Sequence, residues 1–148
     1  MIHPDLTSLE FGHRVLTGIR YIGWLSDEDR LPYTSPPAGL LASLEPLLLT
    51  HATNRMRSRA RCPFCRDLVT IDRDGTALAL GGSEIWIPAS AGPIYVAPDL
   101  VFHYINAHGY APPQEFVDAV MEQPVPNWNA NDFANRLRWQ LSRMVDHK

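Results

Sequence analysis

Arg61–Cys62–Pro63–Phe64–Cys65 and His103–Tyr104–Ile105–Asn106–Ala107–His108 are the two stretches that decide the reading of this chain. The cysteines are the only two present. They are separated by two residues, in a turn that Pro63 stiffens. The two histidines, of six in all, are separated by four residues near the end of a predicted short helix. The pattern is therefore Cys-x2-Cys, an interval of 37 residues, and His-x4-His. Zinc takes four sulfur and nitrogen ligands in a tetrahedron, and structural sites commonly draw one pair from a tight knuckle and another from a helix end. Cys62, Cys65, His103 and His108 are the candidate zinc ligands, and the rest of the chain is read as built around that metal.

Histidines five positions apart differ by roughly 140° around a regular helix. They converge on one ion only if the last turn tightens or unwinds, which Gly109 permits. The order of knuckle, hairpins and ligand-bearing helix resembles a treble-clef finger, with a longer insert. Three other readings stand beside the structural one. The cysteines may be read as plain buried thiols and the histidines as packing residues. Cys-Pro-Phe-Cys is similar to the glutaredoxin active site, which implies Cys62 as nucleophile and Cys65 as resolving thiol. That fold needs a helix after the motif, whereas a hairpin is expected here. A catalytic zinc would need an open position and a carboxylate base, for which Glu84 is the candidate. The chain has no His-x-Glu before its cysteines and no His-Glu-x-x-His. With four good donors at hand, a closed site is expected.

Composition bounds the alternatives. The 148 residues are 45% hydrophobic and 20% charged, as expected of one globular domain with its own core. The reading divides it into an N-terminal strand and helix region (1–60), a zinc core (61–123) and a C-terminal helix (124–148). A net charge of −3 argues against a broad polyanion-binding surface. No apolar run reaches the roughly 18 residues of a membrane span, and the N-terminus lacks signal-peptide blocks. A cytoplasmic location is expected, where Cys-x-x-Cys is more often a metal or redox pair than a disulfide.

Outward from the knuckle, the residues before it carry Arg55, Arg57, Arg59 and Arg61 on alternate positions. An extended chain would put all four on one side, as a nucleic-acid contact or, with no interleaved aromatics, as a solvated face or arginines held by carboxylates. Earlier still, Leu40, Leu41, Leu44, Leu47 and Leu48 mark a core-facing helix, which Pro46 should kink or divide. Ile19, Tyr21, Gly23 and Leu25 alternate as in a strand within 13–25. After the knuckle, 68–71 and 76–80 flank Asp74–Gly75 as a hairpin. Ile85–Trp86–Ile87 and Ile94–Tyr95–Val96 read as a second hairpin around 88–93. Pro98 and Asp99 suit the first turn of the His103 helix, and Gly109 its stop. Pro112–Pro113 opens a helix with Phe116, Val117, Val120 and Met121 on one face. A break at Pro124–Pro126 precedes a last helix with Phe133, Leu137, Leu141, Met144 and Val145, N-capped by Asn129 or Asn131. No phosphate loop or nucleophile elbow is present, and His13 and His51 read as surface or satisfied polar residues rather than ligands.

Cys62–Pro63–Phe64–Cys65, Gly82–Ser83–Glu84–Ile85, Tyr95–Val96–Ala97–Pro98, Phe102–His103–Tyr104 and His108 through Phe116 resemble a family of small bacterial proteins without an established activity. Its pattern is Cys-x-Phe-Cys, Gly-x-x-Glu-Ile, Tyr-x-Ala-Pro-x-Leu-Ile-Tyr-His-Tyr, a later His and Pro-Pro-x-Glu-Phe. The resemblance covers Cys62 to about Val120, with Val101–Phe102 where the family has Ile-Tyr, and implies kinship and a similar metal site. The expectation is an α+β zinc-stabilised domain: an N-terminal leucine-rich helix, two hairpins forming an antiparallel sheet, and C-terminal helices. Its expected role is non-catalytic protein binding, for instance as an immunity- or antitoxin-like inhibitor of a bacterial toxin, since complementary charge suits an acidic protein to a basic partner.

Overall fold

Glu84–Pro88 (β6) and Ile94–Pro98 (β7) form the antiparallel hairpin at the heart of the fold. Their inner residues are buried on both faces, which is why they read as continuous apolar runs. The computed structural model describes residues 1–90, 92–123 and 128–145, without the side chains of Met144 and Val145. The expected break at Pro124–Pro126 and the Ala91 position of the 88–93 turn lie outside the described residues.

Earlier strands complete a five-stranded sheet. Ser8–Phe11 (β1) and Arg14–Tyr21 (β2) form a hairpin, and Ala52–Thr53 (β3) is a short edge strand. The order is β1-β2-β7-β6-β3, with β2 and β7 parallel and every other pair antiparallel. The single strand expected within 13–25 is thus the second of a pair. It stops at Tyr21 because Gly23 turns the chain with φ +72°, where a Cβ would lie 2.8 Å from Val101 Cγ2.

Thr70–Arg73 (β4) and Thr76–Ala79 (β5) make the other expected hairpin, with Asp74 and Gly75 both at positive φ, as a two-residue type I′ turn requires. The two expected hairpins do not share one antiparallel sheet. β4 and β5 stand alone as a two-stranded ribbon, and the main sheet is mixed, because the N-terminal β2 occupies the edge of β7.

Leu40–Thr50 (α1), Val101–His108 (α2), Gln114–Glu122 (α3) and Ala130–Val145 (α4) complete an α+β fold. α1 runs undivided through Pro46; the proline removes one backbone donor, and Leu40, Leu44, Leu47 and Leu48 are buried on both sides of it. Pro98 ends β7 and does not open α2, which starts at Val101. In α3, Ala119 is buried and Met121 is exposed, the reverse of the expected stripe at that position. Asn129 Oδ1 accepts the Asp132 N–H at 2.9 Å and caps α4.

The alternation of β6 and β7 assigns two cores. Ile85, Ile87, Tyr95 and Ala97 face one side with α1, α2, α3 and Cys62. Trp86 and Val96 face the other with Ile19, Tyr21 and Ala130 and Ala134 of α4. Helices therefore cover both faces of the sheet. No described helix is long and apolar enough to cross a membrane.

Candidate metal centre

The knuckle is a tight turn closed by its own backbone. Arg66 N–H donates to Cys62 O at 2.9 Å, and Cys62 N–H donates to Asp67 O at 3.0 Å. Arg66 takes φ +67° to allow this. The Phe64 N–H points at Cys62 Sγ, 3.4 Å away, and supports negative charge on that sulfur. Phe64 also docks the knuckle on α2, with its ring 5.8 Å from that of Tyr104 and 5.2 Å from that of His108.

On α2 the two histidines reach the same point because the last turn opens. Gly109 N–H donates to Tyr104 O, five residues back, and Tyr110 N–H donates to the same carbonyl at 3.0 Å. A turn closed by such a bond, five residues back rather than four, is wider than a regular one and brings residues five apart closer into line than a regular helix does. This is the unwinding that His-x4-His demands, and glycine makes it possible. Gly109 sits at φ +68°, and a Cβ there would lie 2.7 Å from Thr34 N. The 31–37 loop crosses at that point, with Thr34 N–H donating to Gly109 O at 3.0 Å.

The result is one cluster. The ligand atoms of Cys62, Cys65, His103 and His108 all lie within 4.8 Å of one another. Cys62 Sγ is 3.4 Å from His108 Nε2, Cys65 Sγ is 3.5 Å from His103 Nε2, and the two Nε2 atoms are 3.2 Å apart. A tetrahedron with zinc–sulfur and zinc–nitrogen bonds of ordinary length has edges of about 3.3–3.8 Å; the two sulfur–nitrogen separations fall in that range and the nitrogen–nitrogen one just below it. Cys62 is fully buried and the other three are half-buried. Burial, with His108 nearby, holds the His103 imidazole below its ordinary pKa, so its ring stays neutral and keeps a lone pair. Burial pushes the Cys62 thiol up, against backbone hydrogen bonds from Cys65 and Phe64. A divalent cation would supply the charge that stabilises two thiolates here. The donors and spacing can hold a metal ion.

The other residues singled out from sequence lie elsewhere. Glu84 accepts hydrogen bonds from Asn54 Nδ2 and from Trp86 Nε1, the latter at 3.1 Å. It lines a cavity of about 520 Å³ that none of the four cluster residues lines. The Gly81–Gly82 turn is held by Asp99, whose buried carboxylate accepts the Gly81 N–H at 2.8 Å. Burial raises the Asp99 carboxyl, opposed by backbone hydrogen bonds from the turn. The four arginines do not form a row, because 54–61 is bent rather than extended. Arg59 reaches inward to cap Leu80 O, at 3.0 Å, and Val69 O, closing the base of the β4–β5 ribbon. Arg61 donates to Arg66 O at 3.2 Å and braces the knuckle. Backbone carbonyls, not carboxylates, hold these two, and Arg55 lines the Glu84 cavity.

Sequence reading missed Asn54 and Arg138, and it placed Asp99 in the first turn of α2, whereas Asp99 precedes that helix and holds the Gly81 N–H. Asn54 adopts φ +55°, a conformation asparagine tolerates better than most residues, which is the one faint signal it carried.

No curated protein and no solved structure matches the chain. Residues 1–121, most of its length and all four cluster residues, match a family described as a domain of unknown function, DUF7919. The chain belongs to the DUF7919 family.

Proposed function

We propose that Cys62, Cys65, His103 and His108 bind one zinc ion as a closed structural centre, and that the protein acts without catalysis, by binding another protein. The observation that carries the metal assignment is the packing of four sulfur and nitrogen donors within 4.8 Å of one another, with three of their separations near the edge lengths of a zinc tetrahedron. Four protein ligands leave no position for a reacting water, and Glu84 is engaged by Asn54 and Trp86 in a separate cavity. Those facts weigh against a hydrolase or deaminase. A nucleic-acid role is weakened by the diversion of Arg59 and Arg61 to backbone carbonyls.

Zinc here joins the knuckle to α2, and α2 carries Val101 and Ile105 into the main core. Metal-binding free energy thereby becomes folding free energy. The net charge of −3 supports a basic partner, with an immunity- or antitoxin-like role in a reducing cytoplasm as the concrete form. Elemental analysis of freshly purified protein tests the metal, with about one zinc per chain expected. A metal-free chain that is fully folded would refute it. Affinity capture with the tagged protein tests the partner: a basic protein retained at low salt and released at high salt is expected. Capture of nucleic acid instead would overturn the protein-binding role.

A further inference from the structure

The largest cavity described, about 520 Å³, lies between the 54–60 loop, the Gly81–Ser83 turn and α4. Its volume is in the range that holds small-molecule ligands. One wall is apolar, from Trp24, Met56, Pro98 and Leu100. The polar groups are divided by charge. Arg55 and Arg138 supply two guanidinium groups, and among the described residues neither has a carboxylate or hydrogen-bond partner. Opposite in character are Glu84 and Asn54. Glu84 uses Oε1 for both its bonds, to Asn54 Nδ2 and Trp86 Nε1. With its amide nitrogen turned to that carboxylate, Asn54 keeps an Oδ1 that is closed off from solvent and has no hydrogen-bond partner among the described residues. The reverse amide orientation would set oxygen against carboxylate and is excluded by repulsion. An unmatched buried acceptor costs stability unless something donates to it.

The floor is pre-formed rather than collapsible. Gly81 lies at φ +98°, its N–H on Asp99 and its Cα close under the 54–60 loop, where a Cβ would meet Ala60 O at 2.3 Å. Met56 N–H and Ala60 N–H donate to Gly82 O and Gly81 O at 2.6 and 2.8 Å, fixing the loop that carries Asn54 and Arg55. A smaller cavity of about 150 Å³ adjoins through Asn54, Glu84 and Arg138.

We propose that this cavity binds a small organic anion that also bears an N–H donor, with its carboxylate or phosphate on Arg55 and Arg138, its body against Trp24 and Leu100, and its donor on the Glu84 carboxylate oxygen that Asn54 and Trp86 leave unused. Glu84 and both cations are then used, Asp99 being held by the Gly81 N–H, which a plain anion or a plain amine would not achieve: either would face like charge at one end. The assignment is independent of the zinc reading, since no cluster residue lines the cavity.

The test is calorimetric titration of the full-length protein as purified, with zinc content measured on the same sample. The probes are guanosine 5′-monophosphate, L-tryptophan and 4-aminobenzoate, each paired with its counterpart lacking the anion: guanosine, tryptamine and aniline. At least one anionic probe should bind with Kd below about 1 mM, and its counterpart at least about tenfold more weakly. Arg138→Met, on a half-exposed helix face, should keep the circular dichroism spectrum and zinc content and weaken that probe about tenfold or more. Glu84→Gln serves as a second variant with the same expectation for the donor end. Absence of binding by all three probes at that concentration, or affinity unchanged in Arg138→Met, overturns the proposal. Loss of zinc with ligand binding retained would refute the metal centre alone.

Discussion

The four-donor cluster and the Glu84 cavity are joined by one short segment, for Asn54, Arg55, Met56 and Ala60 line the cavity and Cys62 enters the cluster. They differ in closure. In the cluster four sulfur and nitrogen atoms lie within 4.8 Å of one another and can hold a metal ion between them. In the cavity two guanidinium groups have no partner among the described residues, and Glu84 uses only one of its two oxygens. A closed constellation of donors holds a fold together, whereas an open one has something left to bind. The same loop serves both because its bends direct Arg59 and Arg61 to carbonyls on the knuckle side while Arg55 stays on the other.

The sharpest way to break this contrast is to open the closed end. Cys62→Ser, or chelation of the wild type, should cost more than about 4 kcal/mol, since loss of a structural metal belongs to the most damaging class of change. Thermal melts followed by circular dichroism should show a low or absent transition. Equal melting with and without chelator would make the cluster an ordinary packing site.

Next in size is Gly109→Ala. A residue other than glycine at φ +68° costs about 1–3 kcal/mol, and the new Cβ also meets backbone at Thr34. Zinc affinity should fall with stability, because the open turn that aims His108 is lost. Competition with a chromogenic chelator measures this.

Gly81→Ala strikes the cavity end at a similar cost of about 1–3 kcal/mol from φ alone. Here zinc stoichiometry should stay at one while the 54–60 loop loosens, seen as faster amide exchange at Met56 and Ala60. Loss of zinc in this variant would show that the two ends are not separable.

Glu84→Gln should be milder, about 1 kcal/mol, since it exchanges an ionised acceptor for a neutral one. A chemical denaturation curve is sufficient to detect it.

The smallest effect separates acid loss of metal from acid loss elsewhere. Burial lowers the His51 pKa, opposed by the Gln123 side chain; Thr50 Oγ1 meets its Nδ1 at 2.7 Å while its Nε2 has no hydrogen bond among the described residues, so the expected satisfied histidine is only half satisfied. A depressed folded pKa means that the stability from neutral His51 is fully present above the unfolded value of about 6.5 and is lost as pH falls through that value toward the folded one. His51→Gln should therefore lose less stability than wild type between neutral and mildly acidic pH, when both are compared at equal zinc occupancy. Parallel pH profiles would remove His51 from the account.

Sequence alone determined what depends on local chemistry. Cys-x2-Cys and His-x4-His named four residues that the fold brings together, because few side chains can serve as soft ligands and their spacing is set by turn and helix geometry. Asp74–Gly75, the α1 leucines, the stop at Gly109 and the cap at Asn129 were legible for the same reason: each is fixed within a few residues by φ, periodicity or a capping bond. Tertiary structure decided whatever needed a partner far along the chain. The placement of β2 beside β7, which makes the sheet mixed and leaves β4–β5 apart, follows from burying Ile19 and Tyr21 against Trp86 and α4. The pairing of Asn54 with Glu84, of Asp99 with Gly81, and the arrival of Arg138 from the last helix likewise had no local signature. Charged and amide side chains suit many surfaces equally well, and only the packed fold shows which of them face one another.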